Sequence, residues 1–534
     1  MAFALPLIIV YLAVPSLLLS FVQRILQWRE KKAPEPKFPG PQQFPVVGRV
    51  HDLPRFSMWK KFKEWADTHG PIYQTSMAGQ NFVIISDESI AEELLIKRGH
   101  IYSGRPQIRA LFDHKNGIGY LALMDRTDHW TKQRKWVHAA MADAHKHHFY
   151  GHIETETKRY LMMLASDPVR FMDHSREHCG RIMSRLAWDE ASQGKTNGES
   201  ADCTLHCMSV SGPIVNTMTP LWQLPGPLNP WKSFERKREG AQRAWWTNNY
   251  RVAKKKFAKG ELPRDTWAYR YIEQVAREQN GSLDQTKDQE EFAACTIGFF
   301  NLVGVVTIAG PLKFFLMAMA LHPEWQQKAQ EELDRVCGDR MPCCDDFAEL
   351  PTVRACLKET VRWRSGVPLG VPHQAERDDE FRGVPIKKDT IILACEWAIN
   401  RVESKYPDPE NYRPDRWLDP AFPTYQEPLT KYPNFRDSQF GKHSFGYGRR
   451  KCLGMDIVDD ELLVTGASVL WAFNMSQAVD AVTGEKVPID TQATNSHVIL
   501  EPSDYKMKFE VRSEKRRMQV MENYGSVADG LKVY

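Results

Sequence analysis

The run Glu290–Leu321 constrains this chain more than any other segment. Its pattern is helical, and apolar residues occupy nearly every face (Ile297, Phe299, Leu302, Val305, Ile308, Phe315). A helix with no polar face must be enclosed by other elements. At 1.5 Å per residue this one is roughly 48 Å long, so the core around it has to be large. By length alone, 534 residues would allow three or four domains. After about residue 50, however, no polar stretch long enough to be a linker interrupts the chain. The expectation is a single large unit, mainly α with small β-sheets (α+β).

The rest of the sequence agrees. Helical periodicity marks Ser57–Thr68, Glu88–Arg98, Trp130–Ala144, His152–Ala165, Asp173–Ala187, Trp231–Lys259, Glu324–Val336, Leu350–Trp363 and Met455–Phe473. Ile72–Met77 and Asn81–Ser86 flank Ala78-Gly-Gln80 and read as a hairpin; Val384–Ile386 and Thr390–Cys395 read as strands. From Glu403 to His443 the chain is turns, Pro and Asp, long for a structureless stretch inside a compact unit. Residues 514–534 read as a polar, frayed tail. The balance of 71 basic against 67 acidic residues, net +4, argues against a nucleic-acid binder. Hydrophobic residues at 42% with 26% charged exclude global disorder and a polytopic membrane protein. Ten irregularly spaced cysteines do not make a disulfide framework and read as reduced thiols.

Residues 1–23 carry no charge, and Phe3–Val22 is almost wholly apolar. About 20 such residues span a bilayer core. Basic residues follow at Arg24, Arg29, Lys31 and Lys32, which predicts a single-pass signal anchor with the remainder in the cytosol. A proline-rich linker over 24–50 would then lead into a catalytic domain over 51–513.

The chemistry concentrates in Phe445-Gly-Tyr-Gly-Arg-Arg-Lys-Cys-Leu-Gly454. Glycines there let backbone approach a flat ligand and leave amides free to face sulfur. Arginine beside a thiol, and a helix starting just after it, both favour the thiolate that ligates metal. A lone cysteine does not suit structural zinc; it suits an axial haem ligand.

This segment resembles the haem-binding signature of the cytochrome P-450 superfamily, Phe-x-x-Gly-x-Arg-x-Cys-x-Gly, at all five defined positions. The resemblance runs from about residue 37 to 513 and is strongest to fungal members that tailor secondary metabolites, such as the O-methylsterigmatocystin oxidoreductase group. It implies one haem b, with Cys452 as the iron's axial thiolate. Arg450 would contact a propionate, Phe445 would pack beneath the iron, and Gly446 would lie in the same loop. Trp130-Thr-Lys-Gln-Arg134 resembles the family's Trp-x-x-x-Arg helix, placing Trp130 and Arg134 at a propionate, and His373 falls at another propionate position. Glu359-Thr-Val-Arg362 with Arg416 resembles the buried Glu–Arg–Arg triad, whose role is folding.

On the central helix Val303-Gly-Val-Val-Thr307 stands where the family has Ala/Gly-Gly-x-Asp/Glu-Thr. Gly304 would leave room for dioxygen and Thr307 would hydrogen-bond a bound peroxide, but Val306 replaces the acid of the proton relay. Gly310-Pro311 follows; Pro311 has no N–H for the Thr307 carbonyl. Two readings stay open: a water on that carbonyl partly replacing the acid, or a kink that reshapes the pocket. By analogy the substrate pocket would take Val303, Phe300, Asn301, Val367 and Leu369, although Phe300 is as readily a core residue.

The resemblance thus implies a membrane-anchored haem-thiolate monooxygenase of the endoplasmic reticulum, facing the cytosol. It would use O2 and NADPH-derived electrons to hydroxylate, desaturate or oxidatively couple a bulky apolar small molecule. No flavin or Rossmann fingerprint is present. Electrons would come from an NADPH-cytochrome reductase, with cytochrome b5 as a second donor, docking on Lys132, Lys135, Lys442, Arg449 and Lys451. The alternative is a haem-thiolate isomerase or peroxygenase that needs no reductase.

Overall fold

The computed structural model describes residues 36–532, apart from 46, 55, 113, 145, 147, 148, 210, 217, 218, 427–440 and 496. The apolar segment 1–23 and the first part of the proline-rich linker lie outside the described residues.

The helices, in chain order, are α1 (Met58–His69), α2 (Glu88–Glu92, running into a π-helical turn Glu93–Lys97), α3 (Asp128–Ala144), α4 (Tyr150–Ser166), α5 (Phe171–Trp188), α6 (Gly194–Met208), α7 (Pro230–Lys259), α8 (Trp267–Glu278), α9 (Lys287–Leu321), α10 (Pro323–Cys337), α11 (Pro351–Trp363), α12 (Glu396–Ile399), α13 (Met455–Ala472) and α14 (Glu514–Lys532). A four-stranded sheet takes the order β1 (Ile72–Met77), β2 (Gln80–Ile85), β6 (Ile391–Ala394), β3 (His373–Gln374), with β2 and β6 parallel and the other pairs antiparallel. Two hairpins complete the β-structure: β4 (Asp379–Phe381) with β5 (Val384–Ile386), and β7 (Phe473–Gln477) with β8 (Met507–Val511).

α9 is the axle. It starts at a capping box, Thr286 with Gln289, and passes through a core that buries Ile297, Leu302, Val305, Val306, Leu312 and Phe315. α5, α6, α7 and α13 pack along it. α9 is long and apolar enough to cross a membrane, but most of it is buried inside the fold. Its all-round apolarity comes from enclosure.

Small residues set how closely the neighbours approach. A Cβ on Gly304 would overlap the Met183 side chain of α5, and one on Gly298 would overlap the Trp246 ring of α7. Gly310 and Pro311 do not break α9, which is continuous from Lys287 to Leu321. They are a docking point. An ideal Cβ at Gly310 would lie 2.5 Å from the Leu500 carbonyl, and the Pro311 ring lies against Gly366. The two docked segments are themselves joined by Leu500 N–H donating to Gly366 O at 2.8 Å.

Two expectations need revision, and one helix was not anticipated. The last residues are not a frayed tail: Glu514–Lys532 is a helix packed on α4, anchored where Arg512 and Arg516 pair with Asp334 and where Arg516 lies over the Trp471 ring. Polarity of composition concealed that anchoring. The end of the proline-rich linker is part of the fold and no free strut, because Gln74 N–H donates to Pro39 O, Phe38 is buried, and Gly48 bridges to Met77. Helix α6, Gly194–Met208, follows a Gly- and Ser-containing stretch that gave no clear helical signal.

Candidate active site

The loop before α13 is shaped by backbone hydrogen bonds. Cys452 N–H donates to Phe445 O at 2.8 Å, closing residues 445–452 into a tight turn, and Gly446 N–H donates to His443 O at 2.8 Å. Gly446 and Gly448 have φ of +79° and +51°, a region that favours glycine. A Cβ at Gly448 would also sit 2.5 Å from the Leu95 carbonyl of the π-helical turn, so that turn clamps the loop from outside. His443 fixes the other end, bonding Asn400 Oδ1 at 2.8 Å and Glu88 Oε1 at 3.1 Å.

Cys452 is exposed as a residue, while its thiol is ringed by protein. Burial raises its thiol above the ordinary range, opposed by the Gly454 N–H, Arg134 and Lys451. The sequence had suggested that nearby arginine would carry the thiol to thiolate. The net effect is the reverse, because burial outweighs the nearby cations Arg134 and Lys451. A thiol raised in this way is one that a bound metal cation deprotonates.

Arg450 instead lies over the Trp130 ring at 4.7 Å, and its Nε donates to Ser103 O at 2.8 Å. Arg134, one turn along α3 from Trp130, approaches the same indole at 5.4 Å. Arg105, which the sequence did not single out, joins them. It is buried and donates to the carbonyls of Pro372 (2.6 Å), Ala122 (2.9 Å) and Val371 (3.0 Å). His373 is set by its register opposite Ile392, and its Nδ1–H donates to Tyr102 O at 2.6 Å. Burial, reinforced by Arg105 and Arg450, pushes this imidazole well below its ordinary range, so it is neutral. Burial, offset in part by Asp125, lowers Arg450 to about 10.

Three guanidinium groups thus converge in a buried space, opposed by the carboxylates of Asp125 and Glu376. Both terminal nitrogens of Arg450 are buried and have no hydrogen-bond partner among the described residues. Leaving such donors unpaired costs about 1–3 kcal/mol or more. The donor set fits a group that carries carboxylates and a thiolate-ligated metal, which describes haem.

The triad forms as its spacing implies. Glu359 accepts Arg362 Nη2 (2.7 Å) and Nε (2.9 Å), Arg416 Nε (3.1 Å), the Arg413 N–H (2.9 Å) and the Trp417 indole (3.0 Å). The two guanidiniums also donate to the carbonyls of Asn400, Pro407, Asp408, Pro409 and Asn411. The long irregular stretch after Glu403 is therefore held by two buried arginines.

On α9, the Thr307 hydroxyl donates to Val303 O at 2.9 Å. A Cβ at Gly304 would point at Met183, so its missing side chain serves the close α5–α9 crossing. Phe300 packs edge-on against Trp267 (6.3 Å) and Phe299 (6.2 Å); Phe299 in turn meets Tyr120. Asn301 is buried and accepts Asn197 Nδ2 on its side-chain oxygen (2.5 Å) and on its carbonyl (3.0 Å), clamping α6 to α9. Asn301 holds helices together and is no pocket wall, whereas Phe300 is partly buried on the face of α9 that also carries Val303 and Thr307. Val303 and Val367 pack partly buried against the core, and Leu369 lines an apolar channel.

That channel encloses roughly 1360 Å³ including its mouth and runs between α1, the β1–β2 hairpin, residues 105–108 and residues 368–372, with Met208, His497 and Val498 on the far wall. Exposed apolar side chains stand on the segments around it: Phe44, Val47 and Phe56 before α1, Ile214 and Leu228 between α6 and α7, and Phe234 in the first turns of α7.

A family profile described as Cytochrome P450 matches residues 38–170 and 213–509. Similar full-length proteins include the cytochrome P450 monooxygenase virE of Hypocrea virens, 28% identical over 94% of this chain and 90% of its own length. The cytochrome P450 monooxygenase fogE of Aspergillus ruber is 28% identical over 92% of this chain and 90% of its own. COX1 of Coprinopsis cinerea, also named a cytochrome P450 monooxygenase, is 29% identical over 95% of this chain and 98% of its own.

Proposed function

The chain belongs to the cytochrome P450 family, and from that premise we propose a haem-thiolate monooxygenase that oxidises a bulky, largely apolar small molecule in fungal secondary metabolism. Members of the family bind haem through a cysteine thiolate. The observation that carries the reading here is the pairing of the clamped Cys452 loop with the unpartnered Arg450 guanidinium across one buried space.

In this reading Cys452 ligates the iron, and Arg450, Arg134, Arg105 and Trp130 hold the propionates. His373 is neutral with Nδ1–H committed to Tyr102, so its Nε2 meets a propionate only after taking up a proton. When bound, the haem supplies an iron centre that activates dioxygen with two electrons and delivers one oxygen atom to substrate. The protein's own part is to fix the loop through Gly446, Gly448 and His443, to exclude water with the apolar wall of α9, and to present the Thr307 hydroxyl on that wall. The triad Glu359–Arg362–Arg416 touches none of the reacting atoms; it holds the segment leading toward the Cys452 loop.

Electrons come from a separate NADPH-dependent reductase. The exposed cations Lys132 and Lys135 of α3 and Arg449 beside the Cys452 loop support an acidic partner docking there; the Lys442 side chain lies outside the described residues. The apolar residues flanking the channel, together with the uncharged segment 1–23, support anchorage to the endoplasmic reticulum membrane and substrate entry from it. The test is product formation from candidate apolar substrates with the chain, its reductase and NADPH. Turnover that needs peroxide and ignores NADPH would overturn the reductase-dependent reading.

A further inference from the structure

Two thiols that the haem site does not use stand four residues apart in the last turns of α6, beside the apolar channel. Cys203 is partly exposed, whereas Cys207 is fully buried. Their side chains are hydrogen-bonded to each other, the Cys207 S–H donating to the Cys203 sulfur. That bond lowers the Cys203 thiol, aided by Arg238 of α7 and opposed by burial, Glu235 and Asp202. The same bond, with burial, raises Cys207. A partly exposed thiol held low is the one that attacks an oxidant, and a buried thiol touching it is a resolving partner.

The end of α6 is tied to the channel through one side chain. Asn216 Nδ2 donates to Cys207 O at 2.8 Å and to Ser209 O at 3.0 Å, and Asn216 Oδ1 accepts the Ala110 N–H at 2.9 Å. Asn216 and Met208 line the channel, as do residues 105–108 just before Ala110. Side chains four apart on a helix have Cβ atoms about 5–6 Å apart, whereas a disulfide needs about 3.5–4.5 Å. Linking the two sulfurs therefore tightens the turn 203–207 by about 1–2 Å. The Cys207 carbonyl is pulled off Asn216 as a result.

We propose that Cys203 and Cys207 form a peroxide-oxidised dithiol whose closure releases the Asn216 bridge and loosens the channel wall. The oxidant is hydrogen peroxide. The Cys203 thiolate attacks one peroxide oxygen and the O–O bond breaks, giving Cys203 sulfenic acid and hydroxide, which the proton shed by Cys203 completes to water. The Cys207 sulfur then attacks the sulfenic sulfur. An S–S bond forms, and the hydroxyl leaves with the Cys207 proton as a second water. Two electrons pass from the thiols to one peroxide. Only the source of that peroxide rests on the monooxygenase reading: a cycle that ends without product reduces O2 to hydrogen peroxide with its two electrons and two protons. A disulfide closed within a helix is strained and so readily reduced, and thiol reductants restore the bridge.

The test uses the haem-loaded protein and added hydrogen peroxide, and needs no identified substrate. Oxidised sites are read by mass spectrometry after dimedone trapping, with and without reductant. Wild-type protein should show a reducible Cys203–Cys207 link. Cys207→Ser should carry the dimedone adduct on Cys203, and Cys203→Ser should leave Cys207 unoxidised. In stopped flow, 4-phenylimidazole should reach the haem iron about threefold faster in the linked protein than in the reduced one, the size of one lost hydrogen bond. Asn216→Ala should show that rate without peroxide. Reductant should reverse the first effect and not the second. Neither link nor adduct in wild type and Cys207→Ser would overturn the dithiol; a link formed with unchanged 4-phenylimidazole kinetics would overturn its coupling to the channel. The reduced carbonyl spectrum of the same samples keeps the two readings apart. A thiolate-shifted band with untouched thiols defeats the dithiol alone, whereas an unshifted band in the reduced wild-type protein defeats the monooxygenase reading and leaves the thiol result standing.

Discussion

Gly310→Ala sets two magnitudes against each other. Alanine is favoured over glycine inside a helix by about 1 kcal/mol, so sequence reasoning predicts a gain. The structure predicts a loss. The new Cβ would stand 2.5 Å from the Leu500 carbonyl oxygen, and real Cβ contacts do not fall below 3.0 Å, so backbone must move by at least about 0.5 Å. Leu500 cannot yield freely: it is fully buried and its N–H is bonded to Gly366 O. Overpacking of this kind costs about 1–3 kcal/mol, leaving a net loss of up to about 2 kcal/mol once the helix gain of about 1 kcal/mol is subtracted. Two further glycines calibrate it. Gly240 in α7 has nothing within 4 Å of an ideal Cβ, so Gly240→Ala should gain about 0.5–1 kcal/mol. Gly304→Ala should fall between, because its neighbour Met183 is a flexible side chain. Denaturant unfolding of the three variants should rank Gly240→Ala above Gly304→Ala above Gly310→Ala. Gly310→Ala as stable as Gly240→Ala would refute the docking of residues 500–501 against α9.

Other perturbations have equally definite outcomes. Glu359→Gln strips the charge from an acceptor of five hydrogen bonds and leaves two buried guanidiniums uncompensated; a loss of about 3–5 kcal/mol is expected, read as reduced haem retention and a lower unfolding midpoint. Arg450→Leu removes the unpartnered donors and should weaken haem affinity at least tenfold while raising apoprotein stability, measured by haem transfer and by unfolding of the haem-free chain. Burial alone would raise the Glu88 carboxyl, but His443 and Lys405 hold it down to about 2. Its stabilisation is therefore complete above the ordinary carboxylate value near 4.5 and is lost as pH falls toward 2. Glu88→Gln should cost about 2–3 kcal/mol at pH 7 and little at pH 2, seen as converging unfolding curves.

Long periodic helices, the β1–β2 hairpin and the Cys452 loop were legible because each is a local pattern: apolar spacing, a glycine turn, a glycine-flanked thiol. Cys452, Arg450, Trp130, Arg134, His373 and the Glu359 triad could be placed from short motifs. What sequence could not deliver depended on distant segments meeting. Arg105 reads as one more basic residue until the carbonyls of residues 122, 371 and 372 close on its guanidinium. Gly304 gives no sign of its close crossing with Met183 in sequence, and Asn301 reads as a pocket residue until Asn197 reaches it from another helix. Gly310-Pro311 reads as a kink or a freed carbonyl; it is a seat for residues 366 and 500. The helix at 514–532 escaped because its anchors, Asp334 and Trp471, lie far back in the chain.

The central claim is that Cys452 holds haem iron as a thiolate, and the absorption spectrum of the reduced carbonyl complex tests it most directly. The account predicts a Soret band with the large red shift of a trans thiolate in the wild-type protein, lost in Cys452→His, which leaves nine other cysteines in place. An unshifted band in the wild type, or a shifted one that survives Cys452→His, would contradict it.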